Sequence, residues 1–503
     1  MLNGLAGSFD QFSAPLRNEL RPNKPRNQSD FIFKYIFREF DESQAMILGT
    51  DELTSIFHLP TSSTEIPRIK WIKFHEVPPP SNLPKDGVLI GKSVFRKEER
   101  MVYISEDDRR RHIYIIGQTG TGKSVLLKNM AASDASGGKG FAIVDPHGDL
   151  VEDILDLIPE NRRDDVIIFD PSDLMRPIGL NMLEYDLDKP EQKTFIVNEI
   201  LGIFDKLYDL KATGGPMFEQ YLRQSLLLLM GDAKYEVPTL MDVPRIFADS
   251  EYRQAKLERC QDSVVKDFWE KEALAAGGEA SLQNITPYIT SKFTGFTSND
   301  YMRPIISQSK SALNFREIMD SGKILLVNLS KGKIGDLNAG LLGMIIVGKI
   351  LMAAFGRADM PTEKRKDFNL YIDEFQNFTT DSIVTILSEA RKYRLNLIIA
   401  HQFIAQLQEK IRDSVFGNVG SIISFRVGPN DAEFLEKQFA PIFTKSDLIN
   451  MDNFNAYVKI MINNETSKPF NIKTLPPVKG NPAAREDIKN LSRMKYGTER
   501  HEI

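Results

Sequence analysis

Residues 112–129 read HIYIIGQTGTGKSVLLKN. An apolar run ends on Gly117, the spacing Gly117-x-x-x-x-Gly122-Lys123-Ser124 follows, and an apolar-periodic segment begins at once. That is a strand, a glycine-rich loop and a helix, in the order phosphate recognition requires. The glycines let backbone N–H groups curl around phosphate oxygens, and the helix N-terminus adds favourable polarity. The expected cradle is therefore Gly117, Gln118, Thr119, Gly120, Thr121, Gly122, Lys123 and Ser124. Lys123 suits the β- and γ-phosphates of ATP, and Ser124 suits a ligand to Mg2+. An ordinary glycine-rich turn would need neither the strand nor the helix.

Two distant segments can complete such a site. NLYIDEFQNF, 369–378, contains a strand, Leu370–Ile372, that delivers Asp373 and Glu374 to its C-terminal end. That edge is where ligands bind in parallel α/β sheets. Asp373 suits the Mg2+ shell, and Glu374 suits orienting and deprotonating an attacking water. The alternative is an acidic pair facing solvent. LNLIIAHQ, 395–402, ends in Gln402. Its neutral amide suits bridging that water and the γ-phosphate, or merely closes a strand.

Two further segments stay open between roles. FAIVDPHGDL, 141–150, stops abruptly at Asp145 and His147. Asp145 fits a place at the rim of the phosphate loop, and Asp145 or Asp149 equally fits capping the helix that starts near Leu150. SEARKYRL, 388–395, carries Arg391, Lys392 and Arg394. A solvated helix face and a cation offered to a neighbouring subunit's nucleotide both fit, and side-chain chemistry alone does not choose.

The whole chain sets bounds. Its 503 residues allow two to four domains. The composition, 42% hydrophobic and 26% charged, is that of a soluble globular protein. A net charge of −5 excludes a surface coated with basic residues, although a local basic channel is compatible with it. The single cysteine, Cys260, excludes an intrachain disulfide and fits a reducing compartment. GLLGMIIVGKILMAAFG, 340–356, is interrupted by Lys349 and reads as a buried helix, since a membrane span needs ~20 predominantly apolar residues. With no charged-then-apolar leader, the expectation is a cytoplasmic chain without a transmembrane segment.

Residues 1–85 read as a separate region of unassigned role, with an alternating strand-like stretch, IPRIKWIKFHEV, at 66–77. VPPPSNLP, 77–84, marks a boundary. Apolar β-rich runs then recur at 87–91, 101–105, 112–117, 141–145, 166–170, 323–330, 369–374, 396–402 and 421–427. Several lack polar alternation, as parallel strands covered on both faces do. Residues 191–309 carry helical periodicity instead. The organisation expected is an α/β core split into 86–190 and 310–475, an all-α insertion at 191–309, and a mobile tail at 476–503.

In combination, FAIVDPHGDL, NLYIDEFQNF and EARKYRLNLIIAHQ resemble the HerA–FtsK superfamily. Within it the resemblance is greatest to the conjugative coupling ATPases of type IV secretion systems. GPMFEQYLRQSLLLL and GKILLVNLSKGKIGDLNAGLLGMII look like their helical insertion and the core strand and helix that follow. The resemblance covers about 86–475. It implies a RecA-like fold, a hexameric ring, ATP-driven movement of DNA of undecided strandedness, and a secretion-system or relaxase partner. It assigns Lys123 and Ser124 to the nucleotide loop, Asp373 to the metal and Glu374 to catalysis. It makes Gln402 the phosphate sensor and Arg391 the trans-acting arginine, with Arg394 next in line, and it supports a site role for Asp145. Coupling proteins usually carry N-terminal membrane helices, and this chain shows none. A place peripheral to the inner face of the membrane is the corresponding expectation. Two other readings are a HerA-like translocase serving a nuclease partner and an ATP-binding assembly protein that moves nothing. Glu374 argues against the last, because a pure binder needs no catalytic acid.

Overall fold

The computed structural model describes residues 25–42, 45–57, 75–213, 215–273 and 279–503. The chain divides into a unit Met1–Trp71 and a unit Ile72–Ile503. In the first, the described helices are Gln28–Phe37, capped by the Asn27 side chain, and Thr50–Ile56. Most of the strand-like stretch expected at 66–77 lies outside the described residues.

The strands of the second unit are β1 (Val88–Phe95), β2 (Glu98–Ile104), β3 (Ile113–Ile116), β4 (Gly140–Asp145), β5 (Val166–Phe169), β6 (Ile324–Asn328), β7 (Phe368–Ile372), β8 (Leu395–His401), β9 (Ser421–Ser424), β10 (Asn455–Lys459), β11 (Met461–Ile462), β12 (Glu465–Thr466) and β13 (Phe470–Lys473). β11 and β12 form a short ribbon. The rest make an 11-stranded sheet among the described residues, ordered β2-β1-β13-β10-β9-β3-β8-β7-β4-β6-β5. Every pairing from β9 to β5 is parallel. β10, β13, β1 and β2 extend that sheet by antiparallel pairing. This is the mostly parallel α/β core of a RecA-like P-loop NTPase.

The parallel strands are apolar throughout because they serve two cores. Ile113, Ile115, Phe141 and Ile143 face one core, and Tyr114, Ile116, Ala142 and Val144 face the other. Successive strand residues point to opposite faces, so a sheet covered on both sides leaves no polar alternation. The helices Lys123–Ser136 and Asp149–Leu155 cover the first face through Leu126, Met130, Leu150 and Val151. The helix Asp336–Gly356 and the segment 191–309 cover the second.

Every described element within 191–309 is helical, which gives the expected all-α insertion. Its longest helices are Glu191–Tyr208, Gly215–Gly231 and Glu279–Thr297. They meet around Phe204, whose ring centroid lies 4.7 Å from that of Phe293 and 6.4 Å from that of Phe218. The helix Asp336–Gly356 has the length and apolarity of a membrane span, yet two-thirds of its apolar window is buried inside the fold. Burial lowers the Lys349 ammonium to a pKa of about 8, and it donates to the Glu184 carbonyl at 2.7 Å.

The segment 476–503 departs from the mobile tail expected of it. Arg485–Tyr496 is a helix seated beside β5. Ile488, fully buried in the core on the first face of the sheet, and Ala484 seat it together with charge. Arg485 makes a two-pronged pair with Asp156, Lys489 pairs with Glu152 and Arg493 pairs with Asp173. With Ile488 as the one buried aliphatic side chain of this helix, the charged residues mask its apolar side in the sequence.

Candidate active site

The loop after β3 is built for close backbone approach. A Cβ on Gly117 would lie 2.5 Å from Phe425 Cβ. Gly122 has φ 123° and packs under the rings of Phe425 and Phe454. Gly120 has φ 75°, a conformation that favours glycine. The loop is pinned by the segments that follow β9 and precede β10: Gln118 N donates to Arg426 O at 2.9 Å, and Phe454 N donates to Thr121 O at 2.8 Å. Lys123 is buried at the start of its helix and donates Nζ to the carbonyls of Gly117 (2.6 Å) and Gln118 (3.1 Å). Thr119, Gly120 and Ser124 are exposed at the mouth.

β7 ends two strands away from β3, with β8 between them. Burial, then Glu374 and Asp145, raise the pKa of Asp373 to about 6, and Lys123 opposes the rise. Burial lowers Lys123, and Asp373 and Glu374 oppose that. The carboxylates and the ammonium thus feel one another across β8. Glu374 takes a left-handed conformation, φ 48°, that turns the chain out of the strand.

β8 supplies the bridge. Gln402 Nε2 donates to Glu374 Oε1 at 2.6 Å, and Gln402 Oε1 accepts from Thr119 Oγ1 at 3.0 Å. One amide therefore joins the phosphate loop to the acid. The other carboxylate oxygen, Glu374 Oε2, accepts from Gln376 Nε2 at 2.7 Å. His401, just before Gln402, is held neutral by burial and by Lys123, with a pKa of about 4.

Asp145 lies beside these groups, but its carboxylate is engaged by backbone. It accepts from the N–H groups of His147 (2.9 Å), Leu150 (2.8 Å) and Val151 (3.2 Å). It caps the helix Asp149–Leu155 and adds negative charge next to Asp373. His147 is exposed.

Arg391 is not brought to this cluster within the chain. It precedes β8, whereas Gln402 follows it. At ~3.3 Å per residue the ends of that strand are roughly 20 Å apart. Arg391 is exposed, with Nη2 donating to Asn464 Oδ1 at 3.4 Å. Arg394 pairs with Asp367 at the same end. The sequence reading passed over Arg426, which follows β9 and sets Nε 3.4 Å from Gln118 Oε1. Only its place after an apolar strand, SIISF, could have marked it.

A backbone cradle too crowded for side chains, a lysine at its base and a carboxylate pair opposite fit a magnesium nucleotide. Ser124 and Asp373 carry the side-chain oxygens that could hold such an ion. Fold and site together define a P-loop NTPase of RecA-like architecture. Residues 88–346 match the family model of the HerA helicase central domain, and 367–448 match that of the TraM recognition site of TraD and TraG. The chain belongs to the HerA family, within the HerA–FtsK superfamily of P-loop ATPases.

Its fold is that of the bacterial conjugative coupling protein TrwB, with a TM-score of 0.55 at 17% identity over 76% of this chain and 88% of that one. TrwB in complex with ADP and Mg2+ gives a TM-score of 0.54 at 17% identity over 76% and 90%. VirB4 of Thermoanaerobacter pseudethanolicus gives a TM-score of 0.51 at 12% identity over 79% and 98%. No curated protein matches the chain in sequence.

Proposed function

We propose that this chain is an ATP-hydrolysing motor that moves DNA in the manner of the conjugative coupling proteins. The observation that carries the reading is the bridge from Thr119 through Gln402 to Glu374. It ties the loop that would hold the triphosphate to the residue that would activate water.

In this reading Lys123 exchanges its loop carbonyls for the oxygens of the β- and γ-phosphates. Ser124 and Asp373 hold Mg2+, which when bound neutralises charge on those phosphates. Glu374 orients a water and accepts its proton on the carboxylate. The water oxygen forms the new bond to the γ-phosphorus, and ADP leaves. Gln402 reports the loss of the γ-phosphate, since a shift of Thr119 changes its grip on Glu374.

Arg391 cannot serve its own nucleotide from the far end of β8. It suits the nucleotide of a neighbouring copy, in a head-to-tail contact that closes into a ring, expected to be a hexamer. The likeness to TraD and TraG over 367–448 supports an accessory protein partner docking on that part of the chain. The setting is cytoplasmic, peripheral to the inner face of the membrane.

The test is ATP turnover with and without single- and double-stranded DNA across a salt series. About tenfold stimulation that collapses as salt rises is expected, because the grip on the track is through phosphates. Turnover indifferent to both DNA forms would replace the motor by a nucleotide-driven assembly protein.

A further inference from the structure

The turn leaving β7 is clamped at both ends. At its start Gln376 Nε2 holds Glu374 Oε2 at 2.7 Å. At its end Phe378 lies against Gly343 of the helix Asp336–Gly356, where a Cβ would meet its ring at 2.3 Å. Thr380 Oγ1 donates to Glu199 Oε2 at 3.2 Å, and Glu199 belongs to the first helix of the insertion, Glu191–Tyr208. Glu199 lies beside Gly348, where an added Cβ would come within 3.3 Å of its Oε2. Only five residues thus separate the catalytic carboxylate from Thr380 and its side-chain contact with the insertion.

The same turn has room to move. A cavity of about 470 Å³ is lined by Gln376, Asn377 and Phe378 together with Lys206 and Leu207 of the insertion helix. A second, of about 550 Å³, is lined by Thr379, Thr380 and Asp381 together with Asn198 and Gly202 of that helix. Protein interiors are otherwise close-packed and pass displacement along. Gln376 is also incompletely satisfied: its Oε1 is buried without a hydrogen-bond partner among the described residues. Turning the amide over would set an oxygen against the Glu374 carboxylate, so the observed orientation is the one that Glu374 selects.

We propose that Gln376 is a positioning residue for Glu374, and that the insertion sets it through the Glu199–Thr380 contact. Glu374 is then gripped by two amides with separate inputs. Gln402 answers to the phosphate loop on one oxygen, and Gln376 answers to the insertion on the other. A shift of helix Glu191–Tyr208 pulls Thr380, turns the segment 375–380 and re-aims the carboxylate. The inference rests on Glu374 acting as the general base.

The experiment compares Gln376→Met, Thr380→Val, their double variant and Glu374→Gln in steady-state ATP turnover and nucleotide binding, with melting temperature as a control. Gln376→Met is expected to lower kcat about 10- to 100-fold, with KM and nucleotide Kd within about twofold of the parent. Thr380→Val should lower kcat several-fold with the same split. Together the two should cost clearly less than the product of their separate effects, because both act through one turn. Unchanged kcat in Gln376→Met, or a parallel loss of kcat and binding, overturns the positioning role. Independent, multiplicative effects overturn the link to the insertion. If Gln376→Met melts early, Thr380→Val alone decides by the same split. Full turnover in Glu374→Gln would refute the general-base reading itself, separately from this inference.

Discussion

Gln402 donates to Glu374 Oε1 at 2.6 Å while its own carbonyl oxygen accepts from Thr119 on the phosphate loop. β3 and β7 are not neighbours, so the loop and the acid meet through β8, which lies between them and is followed at once by the amide of Gln402. The consequences can be measured.

Lys123→Ala should weaken ATP binding at least about 100-fold, which is ~2.7 kcal/mol. The change removes the ammonium at the base of the cradle and takes the Lys123 donor from the Gly117 carbonyl, while the Gln118 carbonyl keeps Thr121 Oγ1. Equilibrium binding of a fluorescent ATP analogue measures it, and binding within a fewfold of the parent contradicts the assignment.

Glu374→Gln should bind ATP normally and turn it over about 10²–10⁴-fold more slowly, the range expected for a lost general base. Single-turnover hydrolysis separates chemistry from binding. Normal chemistry would point to a different base.

Arg391→Ala should leave nucleotide affinity intact and lower kcat only where copies associate, by up to ~10³-fold or more for a trans-acting arginine. Turnover per chain measured across a dilution series, alongside size measurements, tests it. A loss that is equal in the dilute and the associated protein excludes a role in trans.

His112 supplies a pH signature unrelated to nucleotide. Burial lowers its pKa to about 4, and its Nδ1 accepts from Leu397 N at 3.1 Å. Between about pH 4 and 6.5 the unfolded chain binds a proton there that the folded chain does not. Stability therefore rises with pH across that window and is lost as pH falls through it. The drop from 6.5 corresponds to roughly 3 kcal/mol, and His401 acts in the same direction. His112 sits at φ 64°, which asparagine tolerates, and an asparagine oxygen can replace the Nδ1 acceptor. His112→Asn should therefore flatten part of the pH dependence of the melting temperature between pH 6.5 and 4. An unchanged slope refutes this source.

Much of the core was legible because it is written locally. Ile113–Ile116 and Phe141–Val144 are apolar without alternation, a pattern that two covered faces impose. Gly117–Ser124 is a single continuous motif. What depends on topology was not legible. Nothing near Gln402 says that Thr119 is its partner, and nothing near Arg426 says that it reaches Gln118. β10 and β13 are short, half-alternating strands added from beyond the last apolar run, and the reading passed over them. Asp145 offered two roles, and its backbone hydrogen bonds show it capping a helix beside Asp373. The helix Arg485–Tyr496 escaped because Ile488 is its one buried aliphatic side chain, and a mostly charged stretch reads the same whether docked or free.

That helix has one more consequence. β5 is a terminal strand of the sheet, and the Ser492 hydroxyl accepts from Ile168 N at 2.8 Å on its outward side. Bare strand borders recruit other chains, and individual surface ion pairs hold only ~0–1 kcal/mol each. Shortened versions ending before Arg485 would lose the buried Ile488 as well as the ion pairs and would uncover a sticky rim. Aggregation of such versions would reflect a lost lid on β5, not a failure of the nucleotide-binding core.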